Sequence, residues 1–114
     1  MSHYHCPCME QCPLHYAMGI IGGKWKVQIL CAIHNAGSIR YNALRGKLDG
    51  VSNTVLSGAL KELEEDGLIC RTVYPEVPVR VEYSPTDSCR ELIPVLEQLS
   101  DWAEARMARE KITD

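Results

Sequence analysis

The sequence has 114 residues, of which 46% are hydrophobic and 24% charged, with a net charge of −3. That length fits one domain, and the balance is that of a globular protein, which excludes a disordered chain. No apolar run approaches the roughly 18 residues of a membrane span, and Met1 to Cys12 hold neither a basic n-region nor an apolar h-region, so the expected setting is the cytoplasm, with reduced thiols.

The first eleven residues form a Cys/His-rich tail with His3, His5, Cys6 and Cys8, followed by Cys12. Three readings stand for this cluster. It is a redox site, a soft-metal site for zinc or copper, or an inert tail. Cys-x-Cys with Cys12 further on is not a structural zinc spacing. Cys12 directly precedes Pro13 at an expected helix N-terminus, where the helix dipole favours a thiolate.

Pro13 to Ile21 reads as a short helix, opened by a proline whose missing N–H costs little there and broken by Gly22-Gly23. Lys24 to Asn35 is the next expected helix, with Trp25, Ile29 and Ala32 on one face and Gly37 closing it. Ser38-Ile39-Arg40 suits a short strand. Tyr41 to Leu48 then places Tyr41, Leu44 and Leu48 on one face of a short amphipathic helix.

Asp49-Gly50-Val51 reads as a tight turn, and Ser52 as the N-cap of a helix from Asn53 to Asp66 with a Leu56, Leu60, Leu63 stripe. Leu68 to Tyr74 and Val79 to Ser84 read as strands, and Pro75-Glu76-Val77-Pro78 between them as a protruding loop. Ser84 as N-cap and Pro85 at the first helical position open a last helix to about Lys111, which Pro94 should kink. Leu92, Leu96, Leu99 and Ala103 form its stripe, widened by Val95 and Trp102. Cys31 and Cys70 lie in apolar stretches and are expected as small core residues.

The central piece is therefore a helix-turn-helix followed by a β-hairpin, a winged helix. In such motifs the start of the second helix faces base edges in the major groove. Asn53, Thr54, Ser57 and Lys61 lie off the leucine stripe. Asn53 suits adenine, Thr54 or Ser57 a base or phosphate, and Lys61 a phosphate. The other reading of this face is a solvated helix surface. Arg80, just after the proline loop, suits the cation a wing needs, whereas Arg71 suits a solvated strand position. Charge agrees with this placement. Residues 24–80 carry eight basic and six acidic side chains, while the remainder carries four basic and nine acidic ones. A polyanion responds to the local field of one face rather than to the net charge.

Taken in order, Cys12-Pro13, Gly22-Gly23-Lys24-Trp25 with Ile29-Leu30, Arg40-Tyr41 with Leu44, Gly50-Val51-Ser52, Leu56-Ser57, Leu60 to Ile69, Arg71, Tyr74 to Pro78 and Val81-Glu82-Tyr83 resemble the HxlR-type regulators, a branch of the MarR-like winged-helix proteins. The resemblance covers roughly Cys12 to Trp102. It implies an α+β, mostly helical fold, with N-terminal and long C-terminal dimerisation helices over 12–22 and 86–111, a helix-turn-helix over 41–66 and a wing hairpin over 68–84.

It also implies a homodimeric transcriptional regulator of a double-stranded DNA operator, with Lys24, Arg40, Ser52, Asn53, Thr54, Ser57, Lys61 and Arg80 at the DNA. Leu14, Leu92, Leu96, Leu99 and Trp102 fall at the dimer interface, and a cysteine at the position of Cys12 acts as a thiol switch for oxidants or electrophiles in some members. Thr54, Pro85 and Cys89 depart from the family pattern, which has lysine, leucine and glycine there, and Cys89 is either a second thiol of the switch or a tolerated small residue.

Neither paired carboxylates, a Ser-His-Asp set, Cys-x-x-Cys nor a phosphate loop is present, so neither catalysis nor a cofactor is expected. Oxidants or small molecules are the expected effectors. A metal-sensing regulator using His3 to Cys12, and a winged helix that binds protein, are the alternatives.

Overall fold

The computed structural model describes residues 12–113. In chain order the elements are α1 (Pro13–Ile21), α2 (Lys26–Ala36), β1 (Ile39–Arg40), α3 (Tyr41–Gly46), α4 (Asn53–Glu65), β2 (Ile69–Tyr74), β3 (Arg80–Pro85) and α5 (Asp87–Thr113). The sheet is antiparallel with β3 in the middle: Ile39 and Arg40 pair with Tyr83 and Glu82, and Ile69 to Tyr74 pair with Pro85 to Arg80. This is a winged helix-turn-helix fold with a long C-terminal helix.

The core assembles around α4, whose Leu56, Ala59, Leu60 and Leu63 are buried at helical spacing. They meet Ile29, Leu30 and Ile33 of α2, Leu44 of α3, Ile69 of β2 and Tyr83 of β3 in one cluster. Trp25, Tyr41 and Leu92 pack on its rim. Local signals set the boundaries of α4. The Ser52 hydroxyl accepts the Val55 N–H at 3.1 Å, as an N-cap should. At the other end Gly67 takes φ +78°, a left-handed conformation, while the Leu68 N–H returns to the Leu63 carbonyl at 2.9 Å.

The start of the last helix differs from the sequence expectation. Pro85 is not at a first helical position. It ends β3, opposite Ile69, and is buried. Thr86 takes the place expected of Ser84: its hydroxyl accepts the Cys89 N–H at 3.3 Å and donates to the Gly67 carbonyl at 2.7 Å. Sheet pairing and that tie to the end of α4 outweigh the local Ser-Pro signal. Pro94 lies inside α5, which is assigned as one continuous helix to Thr113.

Among the cysteines, Cys31 is half-buried on the edge of the expected core position, Cys70 differs from expectation, and Cys89 fits the small-residue reading. Cys70 is exposed rather than in the core, because strand alternation turns Ile69 inward and Cys70 outward. Cys89 is fully buried in the core cluster, and burial pushes its thiol pKa up, with Cys31 nearby adding to the shift. Both effects suppress the thiolate, so Cys89 behaves as a small core residue.

At 1.5 Å per residue the 27 residues of α5 run about 40 Å. The radius of gyration is 16.6 Å, against about 13 Å for a compact chain of this size. From Glu97 to Lys111 every side chain but Ala103 is exposed. None of the helices is long and apolar enough, among the described residues, to cross a membrane.

Candidate nucleic-acid interface

The polar face of α4 is built by elimination. With Leu56, Leu60 and Leu63 turned into the core, helical spacing sends Asn53, Thr54, Ser57 and Lys61 outward, and all four are exposed. Ser52 is exposed too, with one hydroxyl lone pair committed to the cap. Lys61 enters no ion pair among the described residues, so its charge is available. Arg40, on β1, is exposed opposite Glu82, and Lys24 is exposed with its ammonium 5.0 Å from the centre of the Trp25 ring.

Tyr41 supplies a contact absent from the sequence reading, which saw only its apolar side. From the first position of α3 its hydroxyl donates to Asn53 Oδ1 at 2.8 Å and lies 3.4 Å from Ser57 Oγ. The ring packs against the core while the oxygen reaches the polar face of α4, the division of labour usual for a half-buried tyrosine. Sequence spacing cannot show that a residue twelve positions away lies across the turn. The tyrosine's polar end was the available signal.

Lys26 was also missed. It bridges to Glu62 at 3.4 Å and so ties the start of α2 to α4. Its carboxylate partner is 60% exposed, so the pair contributes little to stability and serves to place the two helices.

Arg80 is held more firmly than a solvated wing cation. Its guanidinium lies 3.8 Å from the centre of the Tyr74 ring, bonds Glu76 Oε2 at 2.8 Å through Nη2, and bonds Glu82 Oε2 through Nη1. Ser38 in turn donates to Glu82 Oε1 at 2.7 Å. The Ser38 hydrogen bond leads in holding the Glu82 carboxyl below its ordinary range; desolvation opposes it, and the Arg80 hydrogen bond with the charges of Arg80 and Arg40 adds to the lowering. The bond to Glu76 leads the rise at Arg80. Glu76 belongs to the loop between β2 and β3, so this network anchors the base of that loop to the sheet.

The second surface is apolar and lies on α1 and α5. Leu14, Leu99 and Trp102 are 53%, 54% and 61% exposed, and Tyr16, Met18, Val95 and Met107 join them. Leu96 is covered within the chain at 6% exposure, and Leu92 packs on the core rim. The outward stripe of α5 is therefore Val95, Leu99 and Trp102, at i, i+4 and i+7. Leu92 and Leu96 hold α5 to the body.

Cys12, immediately before α1, is buried at 7% exposure. His3, His5, Cys6 and Cys8 lie outside the described residues. Among the described residues, no group of three or more His, Cys, Asp or Glu side chains could hold a metal ion.

Comparison with known proteins agrees with this geometry. The family model described as HxlR-like helix-turn-helix matches residues 20–111. An uncharacterised HTH-type transcriptional regulator of Halalkalibacterium halodurans is similar at 42% identity over 94 residues, 82% of this chain and 83% of that protein. Among solved structures, a MarR-family transcriptional regulator of Porphyromonas gingivalis W83 is similar with a TM-score of 0.79 and 36% identity, covering 84% of this chain and 93% of that one. The redox regulator HypR in its oxidised form is similar with a TM-score of 0.76 and 37% identity, covering 82% of this chain and 96% of that one.

Proposed function

This chain belongs to the HxlR-like helix-turn-helix family of transcriptional regulators, and from that premise we propose that it acts as a homodimer on a two-fold DNA site and is switched by oxidation of Cys12. The observation that carries the reading is the division of the surface in two. Exposed polar side chains with an available lysine project from the helix-turn-helix, while the exposed large apolar side chains concentrate on α1 and α5. An amphipathic helix that leaves its apolar stripe uncovered calls for a partner, and a second copy gives the closed, two-fold solution. Two α4 helices so related would meet successive major grooves about 34–36 Å apart.

In this reading Asn53, Thr54 and Ser57 face bases. Ser52, Lys61, Lys24 and Arg40 face phosphates, and the Arg80-anchored loop lies over the flanking groove. Leu14, Leu99 and Trp102 form the dimer contact, with Leu92 and Leu96 behind them. The protein is read as a regulator, not an enzyme, working without a cofactor on double-stranded DNA in the cytoplasm.

Similarity to the redox regulator HypR supports the switch, as does the position of Cys12 at the start of α1, one of the two helices carrying the apolar surface. An oxidant would convert the Cys12 thiol to a disulfide with a second thiol, releasing two protons and two electrons to the oxidant. A reorientation of α1 would then change the angle between the two α4 helices. The test compares parent and Cys12→Ser proteins for loss of DNA binding on oxidant treatment. A parent-like response in Cys12→Ser refutes Cys12 as the switch. Stoichiometric zinc or copper binding by the reduced protein would favour a metal sensor using His3, His5, Cys6, Cys8 and Cys12.

A further inference from the structure

We propose that Tyr41 is a specificity-determining residue that fixes which base edge α4 reads; this rests on the DNA reading above. The Tyr41 hydroxyl has two acceptors on Asn53, Oδ1 at 2.8 Å and the backbone carbonyl at 3.4 Å, and the much shorter bond commits the single phenolic proton to Oδ1, because a carboxamide oxygen only accepts. At its 3.4 Å contact with Ser57 Oγ, Tyr41 is therefore the acceptor and the serine hydroxyl the donor. Ser57, Tyr41 and Asn53 form a directed chain, Ser57 O–H to Tyr41 O–H to Asn53 Oδ1, and neighbouring bonds in such a chain reinforce one another.

The direction of the chain has a chemical consequence at the exposed face. With Oδ1 turned toward Tyr41, the amide presents its Nδ2 hydrogens outward. With its proton turned toward Tyr41, Ser57 presents lone pairs. The two positions, one helical turn apart, become a donor and an acceptor.

An asparagine reads adenine by accepting from N6 with its oxygen while donating to N7 with its nitrogen. With the oxygen turned toward Tyr41 and one of its two lone pairs taken, adenine loses part of that advantage at the Asn53 position. Guanine gains instead, offering O6 and N7 side by side as acceptors, with thymine O4 next. Ser57 favours a base that donates, adenine N6 or cytosine N4. The adenine preference expected of Asn53 from sequence alone becomes a keto preference once Tyr41 is in place.

The test selects binding sites for parent, Tyr41→Phe and Asn53→Ala proteins from a random-sequence duplex pool, with melting temperatures measured alongside. Asn53→Ala identifies the base position that the asparagine reads. There the parent should select guanine or thymine, and Tyr41→Phe should admit adenine, cutting the keto preference about fivefold, the worth of one hydrogen bond. Selection of adenine by the parent would overturn the proposal. So would an unchanged base profile in Tyr41→Phe with only weaker overall binding or a lower melting temperature, the mark of a purely structural contact. A parent that selects no sequence would overturn the DNA reading itself, and this proposal with it.

Discussion

The Arg80 guanidinium stacks on the Tyr74 ring with its carbon 3.8 Å from the ring centre. On its other sides it meets Glu76 and Glu82, so two carboxylates share one cation. The charge at the base of the loop between β2 and β3 is therefore compensated before any phosphate approaches, and the shape of that loop is what Arg80 secures.

From this follows a contrast between Arg80 and Lys61. Arg80→Ala should weaken DNA binding while leaving the dependence of log K on log salt nearly unchanged, because a guanidinium already held by Glu76 and Glu82 makes no phosphate contact to lose. Lys61→Ala should flatten the salt dependence by about one unit per subunit, the signature of one phosphate contact. Salt titrations of both variants by fluorescence anisotropy decide this. Equal salt slopes in Lys61→Ala and parent would remove Lys61 from the interface.

The same network predicts an acid-sensitive wing. Glu82 is held below its ordinary value of 4.5, first by the Ser38 hydrogen bond and then by Arg80. A carboxyl depressed by folding stabilises the native state at neutral pH, and that contribution disappears as pH falls through the depressed value. Melting temperature should drop on acidification below about 4.5, and Glu82→Gln should drop less over that range. Ser38→Ala should move the loss to higher pH. Parallel pH profiles for all three proteins would show that Glu82 contributes nothing.

Trp102 and Leu99 stand exposed on a stretch of α5 that the rest of the chain does not cover. Trp102→Asp or Leu99→Asp should therefore leave the subunit folded but monomeric. Each change counts twice across a two-fold axis, and burying one such side chain is worth about 1.5–3 kcal/mol, so dissociation should rise at least about 100-fold. Sedimentation velocity reads the result, with far-ultraviolet circular dichroism confirming the helices. A dimer that persists in both variants would place the contact elsewhere.

Stability should follow the local physics of α4. Removing the Ser52 cap with Ser52→Ala should cost about 1 kcal/mol. Leu63→Ala, at a fully buried position, should cost about 2–5 kcal/mol. Val55→Ala, at 45% exposure, should stay near the half-kilocalorie range of surface changes. Urea unfolding measures all three.

These contrasts mirror what was legible in the sequence. The Ser52 cap, the leucine stripe of α4 and the Gly67 stop are set by neighbours within one or two helical turns, so spacing alone reveals them. The order of elements followed from such signals. The start of α5 did not, because Ser-Pro is an equally good local sign of a helix opening, and only pairing of Pro85 with Ile69 assigns it to the sheet.

Among site residues, exposure of Asn53, Ser57 and Lys61 came from periodicity, while the hydroxyl of Tyr41 reached them across a turn that periodicity does not see. Arg80 was visible as a cation near a loop. Its carboxylates were visible too, with Glu82 two residues on and so on the same strand face, but only the folded hairpin brings Glu76 against the same guanidinium. Leu92 and Leu96 shared a stripe with Leu99 in the sequence. The body of the domain covers the first two and leaves the third outside.

The central claim is sequence-specific DNA binding by the face of α4, and fluorescence anisotropy tests it most directly. Reduced parent protein is titrated onto the DNA upstream of its own gene and onto a scrambled duplex, alongside Asn53→Ala. The account predicts tight binding to the first DNA and weak binding to the second. It also predicts that Asn53→Ala narrows the gap by about 1–3 kcal/mol. Equal binding of parent protein to both duplexes, or a gap untouched by Asn53→Ala, would contradict it.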